Sequence, residues 1–468
     1  MEKIIPSWAK SANSIIDLRI LSVSLIIISV ISILTMIKSG EIRPAEIPGL
    51  NSSTTLLAVI PKNIGYSDVI FSLDGNRVAY IGSENGGKFA VIDGRPEKKY
   101  DDVQNIFFSP DGRRIAYTAR KGDRSLILLD GDEGPEFSGI RIPAFSSNSE
   151  NFAYIADESD GSSVILNGRE RKKYGSISWM RFSPDGKRLA YLAHDDNKSF
   201  IVLDGARNRE FDYVSEFTFS PDGKRYAYVA DNDGKNLLIR DGQQISAQEI
   251  IKSPTFSPDS SKLAYIAGRK NELSVFLDGK SGNKYENVDP RQLVFSPDSS
   301  SLAYAAKADG KYFIVTDGEE GPPYESLDAR HISFSPDSSR TAYLAHTAGR
   351  ATIVIDGRET GLNRTAWRPI FSPDSKHLTY LISNDEKSSI VLDGNAGPEL
   401  NIVWGPIFSP DSRKLIYWHK IGGKFRLNDY VDGEYDGIWA TVFTPDSGKI
   451  LYGALIGREL WWLAEEIR

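Results

Sequence analysis

The chain has 468 residues, 40% hydrophobic and 25% charged, with a formal net charge of -7 and no cysteine. This balance belongs to a folded protein and excludes wholesale disorder and a polytopic membrane protein. It provides no basic footprint for nucleic acid, and the lack of cysteine removes disulfides, thiolate nucleophiles and cysteine-ligated metals.

The first feature in chain order is an uncharged run, residues 20–37 (ILSVSLIIISVISILTMI), bounded by Arg19 and Lys38. As a helix it rises about 27 Å, close to a hydrocarbon core of about 30 Å. It shows no amphipathic stripe, and the following IKSGEI lacks a small-x-small cleavage pattern. The run therefore reads as an uncleaved transmembrane signal-anchor, with a cleaved signal peptide and a buried soluble helix as rivals. Residues 1–19 then form a short cytoplasmic tail, and residues 38–53, with Pro44, Pro48 and Gly49, a linker. The large trailing part is expected outside the cytoplasm, periplasmic or extracellular, although the flanking charge favours this by a single residue.

Residues 54–468 are repetitive. Aligned on a recurrent Phe, eleven units begin at Phe71, Phe108, Phe145, Phe182, Phe219, Phe256, Phe295, Phe334, Phe371, Phe408 and Phe443, spaced by 35 to 39 residues. In the unit from Phe182, Ser183-Pro184-Asp185-Gly186 places Pro where a type I turn needs φ near -65° and Gly where the chain leaves with positive φ. The next segment, RLAYLA, is apolar on both alternating faces, as in a strand covered on both sides, and Ala190 permits close approach of a neighbour. Tyr recurs nine residues after the Phe in every unit, so it reads as core. Asp204-Gly205 fits a type I′ turn joining the third and fourth strands. Four short strands per unit and no helical period after residue 53 predict an all-β fold, a β-propeller of four-stranded blades preceded by one transmembrane helix.

The last unit has room for only one strand after Tyr452, and residues 54–60 (TTLLAVI) precede the first unit as an orphan strand. The orphan is expected to complete the last blade and remove an exposed edge. Eleven blades exceed the usual four to eight, leaving two arrangements: two rings of about five and six blades, or one large ring. Units one to five mostly carry Pro-Asp-Gly or a variant and units six to eleven Pro-Asp-Ser, which admits a division near residue 250 or a record of duplication.

The strings FSPDGKRLAY, FSPDGRRIAY, FSPDSSKLAY and FSPDSSRTAY resemble the TolB-like β-propeller repeats, over residues 71–468. The resemblance implies the fold and says little of function. The α/β domain of TolB and the hydrolase domain that follows such propellers in prolyl-oligopeptidase-type enzymes have no counterpart here, and no G-x-S-x-G elbow occurs.

In such blades the uniform Pro-Asp and Asp-Gly turns share one face. The variable loops between second and third strands, such as HDDNK, DNDGK and HTAGR, share the other, where binding is expected. Trp367, Trp404 and Trp439 stand four residues before the Phe in three consecutive units, with Arg368 beside the first and Trp179 nearly equivalent elsewhere. They read as an aromatic arc at the channel mouth for a ligand or partner, against the plainer reading of blade packing. His194 and His346 share a position, with His419 one residue off it, and read as solvated loop histidines. Asp231-Asn232-Asp233-Gly234 reads as a turn rather than a calcium loop, lacking the downstream Glu. No catalytic residue, metal or cofactor is assigned. The leading expectation is an anchored scaffold binding a protein or small ligand, more a binder than an enzyme. The alternatives are a hydrolase or lyase with its site in the axial channel, and an anchored sensor or regulatory subunit.

Overall fold

The computed structural model describes residues 50–467 apart from 362, 364, 385–386 and 429–432, and apart from the side chains of 292, 329–331 and 384. The expected tail (1–19), anchor (20–37) and linker up to residue 49 lie outside the described residues. Among those described, no helix is long and apolar enough to cross a membrane.

Each unit folds as one antiparallel sheet. Blade 4 orders Ser176–Phe182, Leu189–Asp195, Lys198–Leu203 and Ala206–Arg207 from first to fourth strand, and the same order recurs around the molecule. Blade 10 has three described strands, Val403–Phe408, Leu415–Ile421 and Lys424–Leu427. The fourth strand is mostly a two-residue ladder; the chain then leaves the edge and returns in one bridge, as Ser199 to Phe211 or Ser162 to Tyr174. The returning aromatic packs on the repeat Tyr of the next blade, with centroids 6.3 Å apart for Tyr174 and Tyr191 and 6.2 Å for Phe211 and Tyr228.

Both faces of every second strand are buried against neighbours. In blade 4, Leu189, Tyr191 and Ala193 share a cluster with Ala153 and Ile155 of blade 3, while Ala190 and Leu192 share one with Tyr228 of blade 5. The repeat Tyr is buried as expected, except that Tyr417 is only half-buried. Such clusters join every consecutive pair of blades, including blades 5 and 6 through Ala227, Val229, Ile251 and Tyr265. The last and first blades join through Leu451, Leu460, Trp462, Phe71 and Tyr80. The molecule is therefore one ring of eleven blades, with no division near residue 250.

The orphan strand closes the ring. Thr55–Val59 lies antiparallel on the last strand, with Thr55 opposite Trp462 and Val59 opposite Glu459. Trp462 is fully buried and donates from Nε1 to the Asn51 carbonyl at 2.7 Å, while Arg458 donates to the carbonyls of Ile60, Pro61 and Ile64. Gly75 makes room, since a Cβ there would lie 2.0 Å from the Trp462 ring.

The change from Gly to Ser in the Pro-Asp turns has a structural cause. Ser183 Oγ donates to Asp185 Oδ1 and accepts from the Arg188 amide at 3.0 Å, so the Asp is a turn brace. Where Ser replaces Gly it keeps the left-handed conformation, φ 65° at Ser375, and its Oγ accepts from the Asp337 amide of the preceding blade at 2.9 Å. The same bond links blades 5 to 6 through Ser260 and 10 to 11 through Ser447. Backbone strain is exchanged for an interblade hydrogen bond. The hydrogen bonds from Ser257 and Ser335, with those of nearby amides and hydroxyls, hold Asp259 and Asp337 down at about 2.

The Asp-Gly turns are of the expected kind, Asp204 at φ 52° and Gly205 at φ 86°. Their Asp has a second task, since Asp204 accepts from the Leu189 amide at 2.9 Å and from Arg188 Nε at 2.9 Å. Arg188 continues across the blade interface, lying 5.9 Å from the Phe219 ring and donating to the Lys224 carbonyl.

Ser375→Ala keeps the left-handed strain and loses the interblade bond, so it is expected to destabilise by about 1–2 kcal/mol. Ser375→Gly relieves the strain and is expected to cost about 1 kcal/mol less. Denaturation midpoints of the two variants check the order; equal midpoints contradict the assigned role.

Candidate functional site: the axial channel mouth

First strands of consecutive blades lie against one another, as they must where blades converge on an axis. Hydrogen bonds link them in sequence: Arg141 Nη2 to the Ile177 carbonyl at 2.9 Å, Arg181 Nη1 to the Phe217 carbonyl at 3.2 Å, and Ser333 Oγ to the Pro369 carbonyl at 3.2 Å. Ten first strands carry a register shift before their Phe and that of blade 9 is divided there, and in seven blades the residue three before the Phe has positive φ. These are Asp68, Asn105, Ile142, Glu216, Ser253, Gly405 and Ala440. A bulge of this kind re-aims side chains and is a device of sites and rims. The unit alignment does not reveal it, because the bulged position has no fixed residue type.

The four sequence-predicted tryptophans divide into two kinds. Trp179 and Trp439 are half-buried, their rings 5.2 Å from Phe217 and 5.6 Å from Phe71 of the following blade. Arg181 lies 5.5 Å from the Trp179 ring. Trp404 rests against Phe425 at 5.5 Å yet stays 39% exposed, and Trp367 is 44% exposed. The packing reading thus holds for Trp179 and Trp439, and an open aromatic surface remains at Trp367 and Trp404.

Arg368 sits in the gap of a divided first strand, between Thr365–Ala366 and Ile370–Phe371. Its side chain is exposed, while partial desolvation at the strand break lowers its pKa from the ordinary guanidinium value. The opening is extended by Ile402, Ile421, Ile456 and Tyr66, all exposed and all in the half of their blades nearer the variable loops. Sequence reasoning missed these four, since isolated Ile and Tyr in strands resemble core until the ring is closed.

His194 differs from the solvated histidine expected. It is half-buried, with Nε2 2.6 Å from Ser178 Oγ and Nδ1 2.9 Å from Ser199 Oγ, and burial lowers its pKa. His346 and His419 stand in blades 8 and 10, so the fold does not bring the three histidines together. Asp231 to Gly234 forms a turn as expected, with Asp233 at φ 53° and its amide bonded to Asp212 Oδ2 at 2.9 Å.

A shallow pocket on the opposite, Pro-Asp face lies between blades 9 and 10, lined by Asp374, His377, Phe408, Asp411 and Arg413. It opens where His377, 2.6 Å from Asp393, replaces the arginine that elsewhere reaches over the next blade's Phe.

No protein-family model matches the chain, and no curated protein matches it in sequence. A solved structure described as a eukaryotic initiation factor aligns over 69% of this chain and 96% of its own, at 13% identity and a TM-score of 0.38. A likeness that loose carries no argument.

Truncation separates the two kinds of tryptophan. Trp439→Ala is expected to cost about 3 kcal/mol or more of stability, as for a buried aromatic, and Trp367→Ala under about 0.5 kcal/mol. Equal losses in denaturation contradict the division. Because the folded His194 resists protonation, its contribution is present above the unfolded value, about 6.5, and is lost as pH falls below it. His194→Gln is expected to flatten the melting temperature between pH 7 and 5; an unchanged pH slope contradicts this.

Proposed function

We propose that the chain is a binding scaffold: a membrane-anchored, extracytoplasmic propeller of the TolB-like kind, holding a protein or other ligand at the variable-loop mouth of its channel. The observation carrying this reading is the grouping of exposed apolar side chains. Of the eleven exposed large hydrophobics among the described residues, eight fall in the consecutive blades 9, 10, 11 and 1: Leu56 and Val59 on the outermost strand of blade 11, and Trp367, Ile402, Trp404, Ile421, Ile456 and Tyr66 on first and second strands or just before them. Grouped apolar exposure with aromatic members marks an interaction surface.

The surrounding frame suits the task. In several blades the acid that begins the interblade connection braces a loop turn, as Asp101 to the Gly122 amide at 2.6 Å and Asp436 to the Gly457 amide at 2.8 Å. Loops so pinned lose little entropy on binding. The first described residues meet the ring at the opposite face, where the Asn51 amide bonds the carbonyl of Asp74, in the Leu73-Asp74-Gly75 turn, at 2.7 Å. Anchoring and location rest on the uncharged run at 20–37, and kinship on the repeat strings.

The test places a photocrosslinking residue at Trp404 or at Lys224 on the turn face, in intact cells. A specific adduct from position 404 alone, in a membrane fraction that resists alkaline extraction, is expected. Equal labelling from both faces, or a purified protein that turns over a small substrate without any adduct, overturns the reading.

A further inference from the structure

The reading of the channel mouth as a binding surface leaves open what chemistry it selects, and the charges of the first strands address that. Four arginines on these strands have described side chains. Arg141 is paired with Asp157 at 2.6 Å and Arg291 with Asp289, while Arg181 is committed to the Phe217 carbonyl and the Trp179 face. Arg368 alone of the four has no hydrogen bond or ion pair among the described residues.

Its placement is nevertheless fixed. The Trp367 amide donates to the Leu381 carbonyl at 2.9 Å, and the Pro369 carbonyl accepts from Ser333 Oγ. Both neighbours are pinned, so Arg368 is held at the break in the strand beside Trp367, the most exposed tryptophan among the described residues. On the next two blades the same register position holds no acid but Gly405 and Ala440. On the other side, the carboxylates of Asp289 and Asp328 face Arg291, the latter at 3.9 Å. Arg368 is exposed at this rim with no carboxylate partner among the described residues, so an arriving anion would gain a charge-assisted, two-pronged hydrogen bond there.

We propose that Arg368 binds the anionic group of a ligand whose ring-shaped or apolar part lies on Trp367 and Trp404. The ligand class is a carboxylate or phosphate carried on a flat apolar body, so the site discriminates by charge at one end and by stacking at the other.

The full chain is titrated calorimetrically with three probes of one shape: 2-naphthoate, 2-naphthyl phosphate and the neutral 2-naphthalenemethanol. At least one anion is expected to bind about tenfold or more tightly than the carbinol, as a charged hydrogen bond implies. Naphthoate and naphthyl phosphate together distinguish a carboxylate from a phosphate source. Arg368→Gln is expected to abolish the anion preference while leaving carbinol binding and the melting temperature unchanged, and Arg368→Lys to keep part of it. Trp367→Ala is expected to weaken all three probes. Anions no tighter than the carbinol, no anion binding at all, or a preference that survives in Arg368→Gln overturns the proposal. A scaffold that captures its partner from position 404 yet shows no anion preference separates this failure from failure of the scaffold reading.

Discussion

Every second strand in this protein is apolar on both faces, and only a closed ring covers both faces of all eleven. A blade alone exposes Leu189, Tyr191 and Ala193 on one side and Ala190 and Leu192 on the other. At about 25 cal/mol per Å² of apolar surface, neither face can be left in water without forfeiting a large part of the stability. An open array would leave such a face at each end. Closure by Thr55–Val59 therefore completes a sheet and also lets the first and last blades share a core through Phe71 and Trp462.

Around that core the polar residues of the repeat act as struts between blades. Ser375 exchanges a favourable glycine conformation for a bond to the Asp337 amide, and Arg188 spans from Asp204 to the next blade's Phe219. Where a strut is shortened, as at His377, a pocket opens. The frame is stiff where the repeat is regular, and the proposed function belongs to the blades where it is not. In blades 9 to 11 the position four before the Phe carries tryptophan, where blades 1 to 6 carry Ser67, Gln104, Arg141, Ser178, Ser215 and Lys252, and Arg368 beside the first tryptophan has no pairing partner among the described residues.

Much of the fold was legible in the sequence because each signal was local and repeated. Pro-Asp and Asp-Gly announce turns through φ requirements, the nine-residue offset from Phe to Tyr fixes register, and TTLLAVI stands out as an unpaired strand. The number of rings was hidden, since blade 5 meets blade 6 through ordinary Ala, Val and Ile contacts that carry no label of destination. The Gly-to-Ser change suggested a boundary because a hydrogen bond between residues 38 apart, Asp337 to Ser375, has no local signature. At the site, the sequence singled out four tryptophans and could not tell Trp439, covered by Phe71 across the closing seam, from the open Trp367. The first-strand bulge and the bonded His194 depend on strand register and on cross-strand Ser178, which composition does not encode.

The central claim is a single closed ring of eleven blades. Electron microscopy of the purified full chain tests it directly, through class averages viewed down the axis. One ring with eleven radial sheets around an open centre is the predicted result; two smaller rings, of about five and six blades, would contradict it.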